Sequence, residues 1–222
     1  MADHDTEWWK RAVFYQIYPR SYADSDGDGL GDLAGITSRL DHLAGSPDSL
    51  GVDALWISPF YPSPMKDFGY DVSNYTDVDP CFGTLSNFDT LLEEAHKRDL
   101  RVIIDLVLNH TSEEHPWFRE SRRDRSNPKA DWYLWHPGKR SARSALGGKP
   151  APPNNWLATF ELRSAWWWDE SREEYYLATF TRSQPELNWR NDAVREHMYD
   201  VVRHWLDLGT DGFRLDVINW LY

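Results

Sequence analysis

One stretch constrains the fold more than any other. RVIIDLVL, residues 101–108, is an almost unbroken run of β-branched and aliphatic residues, and a strand of that kind is covered on both faces, as in a parallel sheet with helices packed against it. Its surroundings agree. AVFYQIY (12–18) and VDALWIS (52–58) are apolar runs bounded by turn residues, and helical periods follow each of them. ITSRLDHLAG (36–45) places Ile36, Leu40 and Leu43 on one face, and SNFDTLLEEAHKR (86–98) places Phe88, Leu91, Leu92 and Ala95 on a buried stripe, with Ser86 and Asp89 as a capping-box pair. After residue 108 the alternation stops. A long aromatic, Pro-rich insertion fills 111–190, in which PGKRSARSALGGKPAPPNNW (137–156) reads as a flexible loop and WWWDESREEYYLATF (166–180) as a short hairpin. A helix resumes over 192–208, capped by Asn191 or Asp192, with Val194, Met198, Val201, Val202, Trp205 and Leu208 at helical spacing and Gly209 as its stop. DGFRLDVI (211–218) reads as a fourth strand.

The expected class is therefore α/β: the N-terminal half of a (β/α)8 TIM barrel, whose eight units usually need roughly 250 residues, with a long insertion after the third strand. The corresponding division is 1–110 for the first half of the barrel (strands 1–3), 111–190 for the inserted region, and 191–222 for a further helix and the fourth strand. The 222 residues, 41% hydrophobic and 27% charged, suffice for one sizeable core plus an insertion.

DSDGDGLGD (24–32) offers a second constraint. Asp24, Asp26 and Asp28 alternate, Gly29 permits a sharp turn, Asp32 returns a fourth carboxylate and the Leu30 carbonyl faces inward, which together make an all-oxygen site for a hard cation. An EF-hand carries Glu at its twelfth position; here that position is Gly35, and no helical pattern precedes the loop, so a calcium sensor is excluded. The ligand count favours calcium, with magnesium as the alternative.

A net charge of −12 and a pI near 5.0 argue against nucleic acid or an anionic membrane surface as partner. Uncharged ligands remain, and 13 Trp with 11 Tyr supply rings that can stack on sugars, although most aromatic side chains are core. The lone Cys81 excludes an internal disulfide, MADHDTEWWKR lacks a secretory signal pattern, and no eighteen apolar residues run together, so the expectation is a soluble, cytoplasmic protein. His96, His197 and His204 on predicted helices, the Trp166–Trp168 run in the hairpin and RESRRDR (119–125) are read as packing or solvated faces.

Catalytic groups of such barrels sit at the C-terminal ends of strands and in the loops that follow. Those places carry QIYPRSY, DFGYDVSNY (67–75), DLVLNH (105–110) and GFRLDVIN (212–219), with QPELNW (184–189) ahead of the last helix. In this order and spacing the motifs resemble the α-amylase superfamily, glycoside hydrolase family 13, and specifically its oligo-1,6-glucosidase and α-glucosidase branch. Independently of that, Arg214 and Asp216 lie two apart on a strand and so share a face, and a neighbouring guanidinium keeps a carboxylate ionised. The resemblance implies a retaining α-glucosidase acting on α-linked gluco-oligosaccharides, with Asp216 as nucleophile and Arg214 as its partner. It further implies that Asp67, Tyr70 and His110 bind the non-reducing-end glucose, that Asp105 orients, and that Phe160, Phe180 and Gln184 line the pocket mouth, although FELRSAWWWDE departs from the branch's usual segment. The 24–32 loop matches the metal site of the branch, which implies a calcium ion that braces the barrel rim and does no chemistry, and Val217 after the nucleophile goes with α-1,6 over α-1,4 linkages.

Retaining chemistry needs a second carboxyl group about 5 to 5.5 Å from the first. The resemblance places that acid/base Glu on a fifth strand and a stabilising Asp after a seventh, and neither segment occurs in these 222 residues. The chain alone is accordingly expected to be inactive. Alternatives are a non-catalytic sugar-binding module, self-association of half-barrels through exposed strand edges, and a transglycosylase such as a trehalose synthase or sucrose isomerase.

Overall fold

The computed structural model describes residues 7–140 and 148–221. Seven strands and six α-helices are assigned among them: β1 Phe14–Ile17, α1 Pro19–Tyr22, α2 Leu33–Ser38, α3 Leu40–Leu43, β2 Ala54–Ile57, α4 Leu85–His96, β3 Arg101–Val107, α5 Pro116–Ser121, β4 Trp135–His136, β5 Trp166–Asp169, β6 Glu174–Leu177, α6 Asp192–Asp207 and β7 Gly212–Asp216. The chain divides into two compact units, one of residues 1–60, 76–106 and 203–214, the other of 61–75, 107–202 and 215–222.

The first unit is built on a sheet in the order β1–β2–β3–β7. β1 pairs with β2 and β2 with β3 in parallel, Ile17 opposite Ile57 and Ile57 opposite Ile104. The β-branched run behaves as its composition requires, with Val102, Ile104 and Leu106 fully buried. Above the sheet, Phe60 stacks on Phe88 with centroids 5.1 Å apart, and Trp205 of α6 meets both rings edge-on at 5.5 and 5.2 Å. The predicted stripe of α4 is the buried one: Phe88, Leu91, Leu92 and Ala95.

Two boundary expectations are corrected. The capping box of α4 is formed by Thr84 and Asn87, not Ser86 and Asp89: Thr84 Oγ1 accepts from the Asn87 N–H, and Asn87 Oδ1 accepts from the Thr84 N–H at 2.9 Å. Gly83, at φ +122°, turns the chain ahead of it, so the helix starts a residue earlier than its apolar pattern shows. The single helix expected over 36–45 is two, broken at Arg39, and it begins at Leu33 because the Asp32 carboxylate accepts from the Gly35 N–H at 2.6 Å. Gly35 is obligatory there, since a Cβ would lie 1.9 Å from the Ala23 carbonyl oxygen.

The second unit holds an antiparallel sheet in the order β4–β6–β5, so the predicted hairpin is present and gains a third strand. Its core explains much of the aromatic content. Phe118 packs against Tyr133, Trp135 and Tyr176 with centroids 5.0 to 5.6 Å apart, and the buried Arg172 guanidinium lies 4.3 Å from the Trp135 ring centroid while donating to Glu174 at 2.6 Å. RESRRDR, read as a solvated face, is in part the end of α5, and Ser121 within it is buried. The expected flexible loop at 137–156 falls partly on 141–147, outside the described residues. On its flanks Lys139 and Ala151 exchange backbone hydrogen bonds of 2.7 and 3.0 Å.

Among the described residues no helix is long and apolar enough to cross a membrane.

Candidate active site

Seven of the side chains singled out in the sequence belong to the second unit: Asp67, Tyr70, His110, Phe160, Phe180, Gln184 and Asp216. Three of them form a single hydrogen-bonded cluster. Gln184 Nε2 donates to Asp67 Oδ2 at 2.7 Å and lies 3.0 Å from His110 Nε2, while its Oε1 accepts from Thr181 Oγ1 at 2.8 Å. The Thr181 contact fixes which end of the amide faces the carboxylate. His110 Nε2 is then the acceptor toward Gln184, while its Nδ1 lies 3.3 Å from Asn109 Nδ2. Burial holds His110 neutral, with its pKa lowered to about 4 against a partial offset from a hydrogen bond to the Tyr70 backbone.

Asp67 is pushed the other way. Burial raises its pKa, the Gln184 donor lowers it, and the negative charges of Asp71 and Asp216 raise it again. Asp216 therefore lies near enough to Asp67 to be felt electrostatically. It is buried at the end of β7, and the next residue, Val217, adopts the left-handed conformation at φ 40°, ψ 36°. For a β-branched residue that is a genuine outlier. It turns the chain into a short 3-10 segment, Ile218–Trp220, straight after the carboxylate.

The aromatic members continue outward from His110. Phe180 packs on it with centroids 5.3 Å apart, and Phe160 reaches Phe180 at 6.0 Å. Phe180 is buried, whereas Phe160 is 63% exposed.

Three further side chains shape this cluster beyond the site residues expected from the sequence. Asp71, fully buried, accepts from the Asp67 N–H, the Lys66 N–H and Ser63 Oγ, all at 3.0 Å, and so holds the turn that presents Asp67. That turn contains Met65 at φ 58° and Phe68 at φ 50°, conformations that persist only where the surroundings enforce them. Glu186 pairs through its backbone with His110 in an isolated bridge, and its side chain accepts from the Thr179 N–H at 3.0 Å. The other oxygen, Oε2, is buried with no hydrogen-bond partner, and burial raises the pKa of this carboxyl to about 7. Trp220 packs on Phe180 at 5.6 Å. The repeated acid in DFGYD could have flagged Asp71; nothing in the local pattern marks Glu186 as sealed.

In the first unit, Arg214 Nη1 donates to Asp105 Oδ1 at 3.0 Å and its guanidinium lies 4.8 Å from the Trp56 ring centroid. The fully buried Asp105 also accepts from Trp56 Nε1 at 2.9 Å, which suits the orienting role expected of it.

The 24–32 loop also lies in the first unit. Asp24, Asp26 and Asp28 each offer one oxygen within 4.8 Å of the others. Asp24 is held by N–H donors from Gly27 at 2.7 Å, Gly29 at 2.9 Å and Asp26 at 3.1 Å, which lower its pKa. Asp32 is engaged otherwise: besides capping α2 it accepts from the N–H and hydroxyl of Ser25 at 2.9 and 2.8 Å. Three converging carboxylate oxygens on a glycine-hinged loop fit a hard cation.

A parallel sheet of strands alternating with helices, with Asp216 at the C-terminal end of one of them, is the arrangement of the TIM-barrel class. Within that class the chain belongs to the α-amylase family: residues 16–222 match the family described as Alpha amylase, catalytic domain. It is 58% identical over its whole length to a probable alpha-glucosidase of Rhizobium meliloti (strain 1021), covering 38% of that protein. With an oligo-1,6-glucosidase of Parageobacillus thermoglucosidasius it shares 52% identity over 96% of the chain and 36% of the relative. Among solved structures, the alpha-glucosyl transfer enzyme XgtA matches with a TM-score of 0.89 and 56% identity, over 97% of this chain and 38% of that one. The chain thus spans little more than a third of the length of the proteins it matches. The family and the α/β barrel-type fold expected from the motifs are both established by these matches.

Proposed function

We propose that these residues form the glucose-binding and nucleophile-bearing part of a retaining α-glucosidase, with α-1,6-linked gluco-oligosaccharides preferred. One observation carries the reading: an amide, a carboxylate and a neutral imidazole converge through Gln184, Asp67 and His110, with the buried Asp216 close enough to perturb Asp67. Donors and acceptors of both kinds, without a net cation, suit the hydroxyls of a neutral sugar. Tyr70 in the same motif supplies a ring for its apolar face. In turnover Asp216 would attack the anomeric carbon, forming a glycosyl ester and breaking the glycosidic bond, while a second carboxyl group protonates the departing oxygen and later activates water.

The test transplants residues 7–221 into the Rhizobium meliloti relative in place of its matching segment. The hybrid should release p-nitrophenol from the α-glucoside with the α-anomer of glucose as first product, and Asp216→Asn should abolish release. A hybrid that keeps its rate with Asn at 216 would overturn the assignment. Transfer rather than hydrolysis is the second reading, favoured by the likeness to a glucosyl transfer enzyme; the ratio of disaccharide to free glucose formed by the hybrid separates the two.

We further propose that Asp24, Asp26 and Asp28, with the Leu30 carbonyl, hold a structural calcium ion that braces the loop after β1, as the oxygen-only donor set allows; Asp32, expected among the ligands, caps α2 instead. The chemistry at Asp216 needs no contribution from it.

A further inference from the structure

We propose that Glu186 is a positioning residue for the glucose site: from behind the polar cluster its carboxyl group closes the loop that supplies Phe180 and Gln184, and through Asn109 it steadies His110. Its backbone is anchored on three sides. The Glu186 N–H donates to the Leu177 carbonyl at 2.9 Å, its own carbonyl accepts from the Leu134 N–H at 3.2 Å, and it bridges His110, flanked by the Thr111 N–H on the Pro185 carbonyl at 3.1 Å and the Leu187 N–H on the Asn109 carbonyl at 2.9 Å. From that fixed point Oε1 accepts from the Thr179 N–H at 3.0 Å, which joins the two ends of the 179–186 loop. Within the loop Thr181 Oγ1 donates to Gln184 Oε1 and so aims the Gln184 amide at Asp67 and His110. On its other side the carboxyl group is drawn on by the Asn109 amide, whose nitrogen lies 3.3 Å from His110 Nδ1. A polar path thus runs from Glu186 through Asn109 to His110, Gln184 and Asp67. Its first four members are sealed, with Glu186, Asn109, His110 and Gln184 each 2% exposed or less.

The charge of this group decides how firmly the path holds. Oε2 is buried without a hydrogen-bond partner among the described residues, and burial raises the pKa to about 7, with Thr179 and Asn109 offsetting part of the rise. Protonated, the group carries no charge into the interior. Ionised, it places charge on an oxygen that lacks a donor, and the Asn109 amide, already within its influence, is the donor it can recruit at the expense of His110. Ionisation therefore loosens His110, and affinity for the sugar falls as pH rises through about 7. By linkage, the sugar tightens the hold of Glu186 on its proton, so binding near neutral pH takes up a fraction of a proton.

Several titrating groups on the surrounding segments lie clear of that range: burial lowers His110 to about 4 and lifts Tyr176 to about 12, Tyr133 is raised by burial as well, and Arg182 is raised from 12.5. The carboxyl groups of Asp67, Asp71 and Glu113 are common to wild type and Glu186→Gln, so a comparison of those two isolates Glu186.

The inference rests on the α-glucoside reading, and its test tells the two apart without requiring turnover. Methyl α-glucoside is titrated into the 222-residue chain by calorimetry from about pH 6 to about pH 8.5, in two buffers of different ionisation enthalpy. Wild type should bind several-fold more weakly at the upper end than at the lower and take up a fraction of a proton near neutrality. Glu186→Gln keeps an acceptor for Thr179 and cannot ionise, so it should hold the low-pH affinity of wild type across the range with no proton uptake. Glu186→Ala, which frees the loop, should bind weakly throughout; far-UV circular dichroism verifies that each variant folds. Superimposable curves of affinity against pH for wild type and Glu186→Gln, with methyl α-glucoside bound by both, would overturn the positioning role alone. Failure of the wild-type chain to bind methyl α-glucoside at any pH would overturn the sugar site and this role with it.

Discussion

Glu186 shows how a residue can be plain in sequence and consequential in structure. QPELNW was read for its Gln, yet the acid two positions on has one oxygen on the Thr179 N–H and the other buried without a partner. Burial lifts its pKa from 4.5 to about 7. A carboxyl group that binds its proton more tightly when folded makes no difference to stability below pH 4.5, destabilises progressively as pH rises, and reaches its full penalty above pH 7. That gap corresponds to about 3 kcal/mol. Glu186→Gln keeps a neutral acceptor for Thr179, so urea unfolding should find it equal to wild type near pH 4.5 and more stable by up to about 3 kcal/mol at pH 8. Superimposable pH profiles would rule the effect out. His110 and His115 act in the opposite sense: their pKa values fall from 6.5 to about 4 and about 3 through burial, so the stability they confer is complete above pH 6.5 and is lost as pH falls through those values. Both are present in wild type and variant, and the difference between the two isolates Glu186.

The elements were legible wherever one face is buried, because apolar periodicity is the direct imprint of that burial. The stripe of α4 and the run of β3 are examples. Their ends were less legible, since a cap depends on one hydrogen bond rather than on a pattern, and both Thr84-x-x-Asn87 and Ser86-x-x-Asp89 offer the right residue types. Thr84→Ala should therefore cost about 1 kcal/mol, whereas Ser86→Ala, inside the first turn, should cost less than about 0.5 kcal/mol; equal losses would reinstate the rejected pair. The same ambiguity affects the acidic loop, where the sequence presents four equivalent aspartates and the structure separates three that converge from one that caps α2. Asp28→Ala should abolish any rise in melting temperature on adding calcium. Asp32→Ala should lower stability by about 1 kcal/mol even with the ion chelated, through the lost cap. A calcium response that survives Asp28→Ala would remove the proposed ion from this loop.

For the molecule as a whole, the proposed retaining hydrolysis sets a requirement that can be checked group by group: a second carboxyl group, protonated near neutral pH, about 5 to 5.5 Å from the proposed nucleophile Asp216. Among the described residues Glu186 has a raised pKa suited to an acid, but it is only 1% exposed and committed to Thr179. Asp67 is also raised by burial, yet it accepts from Gln184, a bond that favours its ionised form. Glu174 is buried in its ion pair with Arg172, while Glu161 and Glu173 are exposed. None of them is presented to a glycosidic oxygen. The 222-residue chain by itself should bind methyl α-glucoside but release no p-nitrophenol above background from its aryl α-glucoside. Supplying it with the remaining part of a relative's chain, as in the hybrid, should restore release. Measurable turnover by the 222 residues alone, lost in Asp216→Asn, would mean that an acid is present after all, and Asp67→Asn and Glu186→Gln would then identify which carboxyl group serves.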